Sequence, residues 1–199
     1  MKIIVVGGTG TIGRAVVQAL SSHHEIITVA NQHGDVQVDI TQVSSIEAMY
    51  KKIGKFDALV STTGKVHFGL LSEFNAENYA IGLQNKLMGQ VNLVLIGMKY
   101  INDRGSFTLT SGILCDDPIL YGTSAAMVNG ALNAFVKNAA IEMSKQIRIN
   151  VVSPTILTES MEKIGKYFQG FESVSANRVA LAYKKSIEGA QTGQVYKVW

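Results

Sequence analysis

The chain has 199 residues, with 18 Lys and Arg against 15 Asp and Glu, a formal charge of +3 and 47% hydrophobic residues. That length suits one domain with a sizeable core, and the near-balanced charge, free of basic runs and aromatic ladders, excludes the usual nucleic-acid binder. The single cysteine, Cys115, excludes an internal disulfide and a cysteine-rich zinc site. The scattered histidines lack ligand spacing, so no metal is expected. No window reaches a membrane span without polar interruption, so a soluble protein with no membrane partner, suited to a reducing cytoplasm, is expected.

In chain order, Lys2 to Val6 is a short β-branched run of the kind buried on both faces of a parallel sheet. Gly7, Gly10 and Gly13 follow at three-residue spacing and run into helical sequence from Ile12 to Leu20. The first glycine suits a sharp turn, the second a close approach of backbone to a diphosphate, and the third helix packing on the sheet. The orphan amides of such a helix start favour an anion, and Thr9 and Thr11 add hydroxyls.

Ile26–Ala30 reads as the second strand, with Asn31-Gln32-His33-Gly34-Asp35 looping at its end, where an adenosine ribose would sit. Asn31 stands where a carboxylate would bind the ribose 2′-OH of NAD, so NADP is not repelled. Val36–Asp39 reads as a strand extension; Asp39 either accepts from an adenine amino group or caps the helix expected over 43–53. Phe56–Val60 returns to strand and closes in Ser61-Thr62-Thr63-Gly64, small residues suited to close cofactor approach. A long helical pattern runs over 75–100, with glycines at 82, 89 and 97 permitting close packing. Then come a strand over 106–111, a helix over 121–145, a strand over 147–152, a helix over 176–187 and a strand over 194–198. This alternation predicts one α/β domain over residues 1–199, Rossmann-type and doubly wound, its mostly parallel sheet covered by helices on both faces.

Taken together, these residues resemble the short-chain dehydrogenase/reductase family over essentially the whole chain. The turn VVGGTGTIGRAV looks like the family's cofactor loop in its G-x-x-G-x-x-G form, VDIT at 38–41 its adenine segment, STTG at 61–64 its NNAG, and NVVSPTILT at 150–158 its late nicotinamide segment. The resemblance therefore implies cofactor contacts from Gly7, Thr9, Gly10, Thr11, Ile12, Gly13, Asn31, Asp39, Ile40, Thr62, Thr63, Gly64, Pro154, Ile156 and Thr158, with NADP weakly preferred over NAD. It also implies a homodimer or homotetramer through the helices at 75–100 and 121–145, and a short substrate lid near 158–176, where Met161, Tyr167, Phe168 and Phe171 either line a small pocket or pack on the core.

The family works with Asn, Ser, Tyr and Lys. Ser111 matches the serine, and Tyr121-Gly122-Thr123-Ser124-Ala125-Ala126 looks like Y-x-x-S-K-A-A with alanine in the lysine's place. Where asparagine is expected in N-x-x-G stands Lys86, so the charge missing at Ala125 is expected from Lys86 on another helix. Tyr121 would then serve as general acid/base, Ser111 would hold the carbonyl oxygen of a small-molecule substrate, and Lys86 would favour the phenolate. The rival reading is a catalytically weak or inactive NAD(P)-binding sensor. His67 reads as a solvent-exposed loop residue and Cys115 as a bystander.

Overall fold

The computed structural model describes all residues, 1–199. Its layering follows from the first strand, β1 (Lys2–Val6), where side chains alternate between two cores. Ile3 and Val5 enter one and Ile4 and Val6 the other, none more than 1% exposed. Only a strand inside a sheet covered on both faces can bury its side chains this way. β1 lies centrally among β2 (Glu25–Ala30), β3 (Val36–Gln37), β4 (Phe56–Ser61), β5 (Ile101–Thr110), β6 (Arg148–Pro154) and β7 (Val195–Val198). The order is β3-β2-β1-β4-β5-β6-β7 and every pairing is parallel. Strand succession reverses at β1 and β4, so the carboxyl ends of these two strands border a crevice, the place where such sheets bind ligands.

Helices α1 (Thr11–Leu20) and, near the carboxyl end of the chain, Ala176–Glu188 cover the face holding Ile3 and Val5. On the other face α2 (Val43–Ile53), Gly89–Gly97 and Thr123–Glu142 supply Met49, Leu93, Leu132 and Val136. No helix is long and apolar enough to cross a membrane.

Several expected elements differ. The single helix over 75–100 is divided into α3 (Ala76–Ile81), a π-helical segment (Gly82–Met88) and α4 (Gly89–Gly97). Asn75 and Asn78 close a reciprocal capping box at its start. The π segment is bracketed by glycines that seat it closely, Gly82 against Ser124 and Val128, Gly89 against Ile40. β5 begins five residues earlier than the pattern over 106–111 predicts, because Ile101 pairs with Phe56 before a register shift. The helix expected from Tyr121 to Lys145 is α5 (Thr123–Glu142): Tyr121 has φ +70° and Gly122 is the cap, while Lys145 and Gln146 turn left-handed after the end. Residues 161–164 form a short α6 (Met161–Ile164), and α7 (Ala176–Glu188) follows.

Candidate active site

The first glycines build a turn that other side chains would close. Gly7 has φ +85°, and a Cβ on it would lie 2.8 Å from Thr62 Oγ1; a Cβ on Gly13 would fall inside the Gly7 carbonyl. Without those carbons α1 starts directly under the turn, capped by Gly10 and by no side chain, which leaves the first amides of the helix able to receive an anion. The turn opens on a groove of about 390 Å³ lined by Gly7, Thr9, Gly10, Asn31, Asp39, Ile40, Thr62, Thr63 and Gly64. Thr11, Ile12 and Gly13 form the adjacent first turn of α1.

At the Asn31 end of the groove, Asp39 does not cap α2, whose cap residue is Gln42. Its Oδ1 instead accepts from Thr41 N and Thr41 Oγ1, at 2.9 and 2.7 Å, which lowers the carboxyl pKa. Asp35, beneath the same loop, accepts from the amide and hydroxyl of Thr28 and is lowered likewise. Asn31, Gln32 and His33 stay exposed above it.

The groove leads past Asn85, whose Oδ1 accepts from Lys65 N at 2.7 Å, to Lys86 on the π segment. Lys86 passes across Gly64, where φ is +142° and a Cβ would lie 2.7 Å from Lys86 Cγ. Its Nζ reaches the tip of β5 and donates to Ser111 O at 3.1 Å. Burial of the ammonium end lowers its pKa to about 8. Gln90, fully buried at the start of α4 and one turn beyond Lys86, fixes this approach: its amide accepts from Thr110 N and donates to Thr110 O, both at 2.9 Å, and also donates to Lys86 O at 3.1 Å. A side chain thus completes the backbone pairing at the strand tip.

Lys86, Ser111, Ala125, Asn129, Pro154, Thr155 and Ile156 line one cavity of about 220 Å³. Lysine and the alanine that stands in the usual lysine position face the same space. Ser111 Oγ, Asn129 Oδ1 and Thr155 Oγ1 are buried there without a protein partner. Buried polar atoms are normally hydrogen-bonded, so three such atoms around one cavity fit a polar ligand.

Tyr121 lies elsewhere than the sequence suggests. It lines an outer apolar pouch of about 420 Å³ with Leu70, Ile119, Leu120, Tyr167 and Glu73, its ring edge-on to Tyr167 at 5.7 Å. Pouch and inner cavity share Phe68, Ile164 and Phe168, so they adjoin, but Ser111 and Lys86 border only the inner one. The displacement follows from chain geometry: a residue at φ +70° before the Gly122 cap cannot ride on the inward face of α5. Thr158 is also drawn off, its hydroxyl bonded to Ser173 Oγ at 3.1 Å and its amide to Val174 O at 2.9 Å. Phe171 packs against Phe168, and Met161 is partly exposed.

Sequence reading missed Gln90, Asn85, Asn129 and Thr155. Asn129 had a legible signal, standing four residues after Ala125 on the same helix face. Gln90 had none, since its partners belong to a strand twenty residues away. His67 is half-buried rather than exposed, meeting Phe74 edge-on at 5.2 Å, and burial raises the Cys115 thiol pKa, which disfavours the thiolate.

A family model described as enoyl-(acyl carrier protein) reductase matches residues 8–194. A short-chain dehydrogenase/reductase from Acremonium sp is 25% identical, over 81% of this chain and 75% of that protein. Among solved structures, the protein lin1944 from Listeria innocua superposes with a TM-score of 0.99 at 52% identity, over the full length of both chains. A small-chain dehydrogenase in complex with NADPH superposes at 0.88 with 27% identity, over 100% of this chain and 96% of that one.

Proposed function

Since the chain belongs to the short-chain dehydrogenase/reductase family, we propose that it is an NADP-preferring oxidoreductase acting on a carbonyl, or the corresponding alcohol, carried on a small apolar body. The observation that carries this reading is the run of three adjoining recesses along the carboxyl edge of the sheet: glycine groove, Lys86–Ser111 cavity and apolar pouch.

The chain's own residues fit a dinucleotide. The first amides of α1 and Thr9 would hold the diphosphate, and Asn31 and Asp39 the adenosine end. The NADPH-bound relative and the lack of a carboxylate at position 31 favour NADP. Pro154 and Ile156, with the free Thr155 hydroxyl, would border the nicotinamide. The bound cofactor supplies a hydride equivalent. Ser111 Oγ holds the carbonyl oxygen, Lys86 Nζ supplies the positive charge lost at Ala125, and the pouch takes the apolar remainder of the substrate. The short helices over 158–167 act as its lid. Leu95, Met127 and Ile141, exposed on α4 and α5, support association with a second copy.

Calorimetric titration with NADPH and NADH, followed by a carbonyl screen monitored by nicotinamide absorbance, tests this reading. Tighter NADPH binding and turnover of aromatic or alkyl aldehydes and ketones, but not of anionic ones, are expected. Absence of binding by either nucleotide refutes it. The alanine at 125 and the outlying Tyr121 favour a second reading, a cofactor-binding sensor without turnover; binding with no oxidation of cofactor across the panel selects that one.

A further inference from the structure

We propose that Lys86, rather than Tyr121, gives the proton to the substrate's carbonyl oxygen. This rests on the oxidoreductase reading and names the acid it leaves open. Two special backbone features seat this one side chain: the π segment that carries it, and Gly64, whose missing Cβ and φ of +142° clear the path of its stem. Mid-helix π turns of this kind recur at functional sites. Nζ makes one protein hydrogen bond, to Ser111 O, leaving two of its three donors for the cavity that Ser111 Oγ also faces. Tyr121, the alternative acid, borders the outer pouch.

The surroundings hold Lys86 near its working range. No carboxylate lines the cavity: the 64–66 loop presents Val66, the β5 tip Ser111, α5 Ala125 and Asn129, and the segment after β6 Thr155, Ile156 and Ser160. The titratable group that acts on the ammonium is the Cys115 thiol, on the turn after β5. Desolvation without a counter-ion makes the ammonium a stronger acid than an exposed one, and a general acid works best when its pKa lies near the operating pH. In the step, the carbonyl carbon would accept hydride from bound reduced nicotinamide as the C=O π bond breaks. The oxygen takes a proton from Nζ: an N–H bond breaks, an O–H bond forms, and the neutral amine is later reprotonated by solvent.

Four tests decide it. In cofactor-free protein, an NMR titration of the Lys86 side chain, assigned by its loss in Lys86→Met, is expected near pH 8; a midpoint close to the ordinary 10.5 overturns the proposal. In the holoenzyme, Lys86→Met should lose about a hundredfold or more in turnover, the span usual for a general acid, while calorimetry shows NADPH still bound. Lys86→Arg should fail to restore it, because guanidinium does not give up its proton. Tyr121→Phe alters the wall of the pouch and is free to shift KM, but it should retain the wild-type decline of reduction rate above about pH 8. A fall of about a hundredfold in kcat at saturating substrate or disappearance of that decline in Tyr121→Phe, or retained turnover in Lys86→Met, overturns the proposal while the oxidoreductase reading stands. If the wild-type protein binds NADPH but reduces no carbonyl, both fall.

Discussion

Removing the Lys86 charge should stabilise the protein, and the pH dependence of that gain reports how deeply the ammonium is buried. In the folded chain the proton leaves Lys86 at about pH 8, against 10.5 for the ordinary side chain. A lysine whose folded pKa is depressed penalises folding wherever the unfolded chain holds the proton more tightly, fully below about pH 8 and not at all above the unfolded value. The penalty amounts to about 3 kcal/mol at pH 7 and under about 1 kcal/mol at pH 10, at 1.36 kcal/mol per tenfold change in proton affinity. Lys86→Met removes it but strands the Ser111 carbonyl, a loss of about 1 kcal/mol. The net expectation at pH 7 is a gain of about 2 kcal/mol. Urea unfolding of both proteins at pH 7, 8.5 and 10 measures this, and the comparison between pH values is the sharper test because the Ser111 loss cancels from it. A variant advantage that shrinks by about 2 kcal/mol from pH 7 to 10 agrees with the structure. An advantage that stays flat with pH, or a variant less stable than wild type at pH 7, refutes the buried ammonium.

Gln90→Ala leaves the amide and carbonyl of Thr110 unpaired in the core and should cost about 2–5 kcal/mol, seen in urea unfolding; a cost under about 0.5 kcal/mol would show that the strand tip does not need the clamp. Gly13→Val drives a branched side chain into the Gly7 carbonyl, so NADPH affinity measured by calorimetry should drop at least about tenfold, and unaltered binding would place the diphosphate elsewhere. Asp35, whose pKa is lowered by its bonds to Thr28, contributes stability above its unfolded pKa that is lost as pH falls through the folded one. Asp35→Asn should therefore speed hydrogen exchange at the Thr28 amide at pH 7 and match wild type once both are acidified below the lowered Asp35 pKa.

What the sequence determines by itself is what short-range sterics and spacing decide. The run Ile3-Ile4-Val5-Val6, ended by Gly7, can form little but a strand buried on both faces, and no alternation of polar and apolar residues is needed to see it. Gly7, Gly10 and Gly13 specify the turn because each acts within a few residues of itself. The α2 boundaries, 43–53, and the seven strands in parallel succession follow from the same local signals. The shared cavity of Lys86 and Ala125 is foreshadowed by their mismatch with the family motif, but only the folded chain brings them within reach. Tertiary structure alone decides the rest. The π segment that aims Lys86, the Gln90 clamp on Thr110, the unpartnered Asn129 and Thr155, and the removal of Tyr121 to the outer pouch each depend on contacts between residues distant in the chain. A backbone conformation such as Tyr121 at φ +70° is imposed by what surrounds it, and no spacing along the sequence encodes those surroundings.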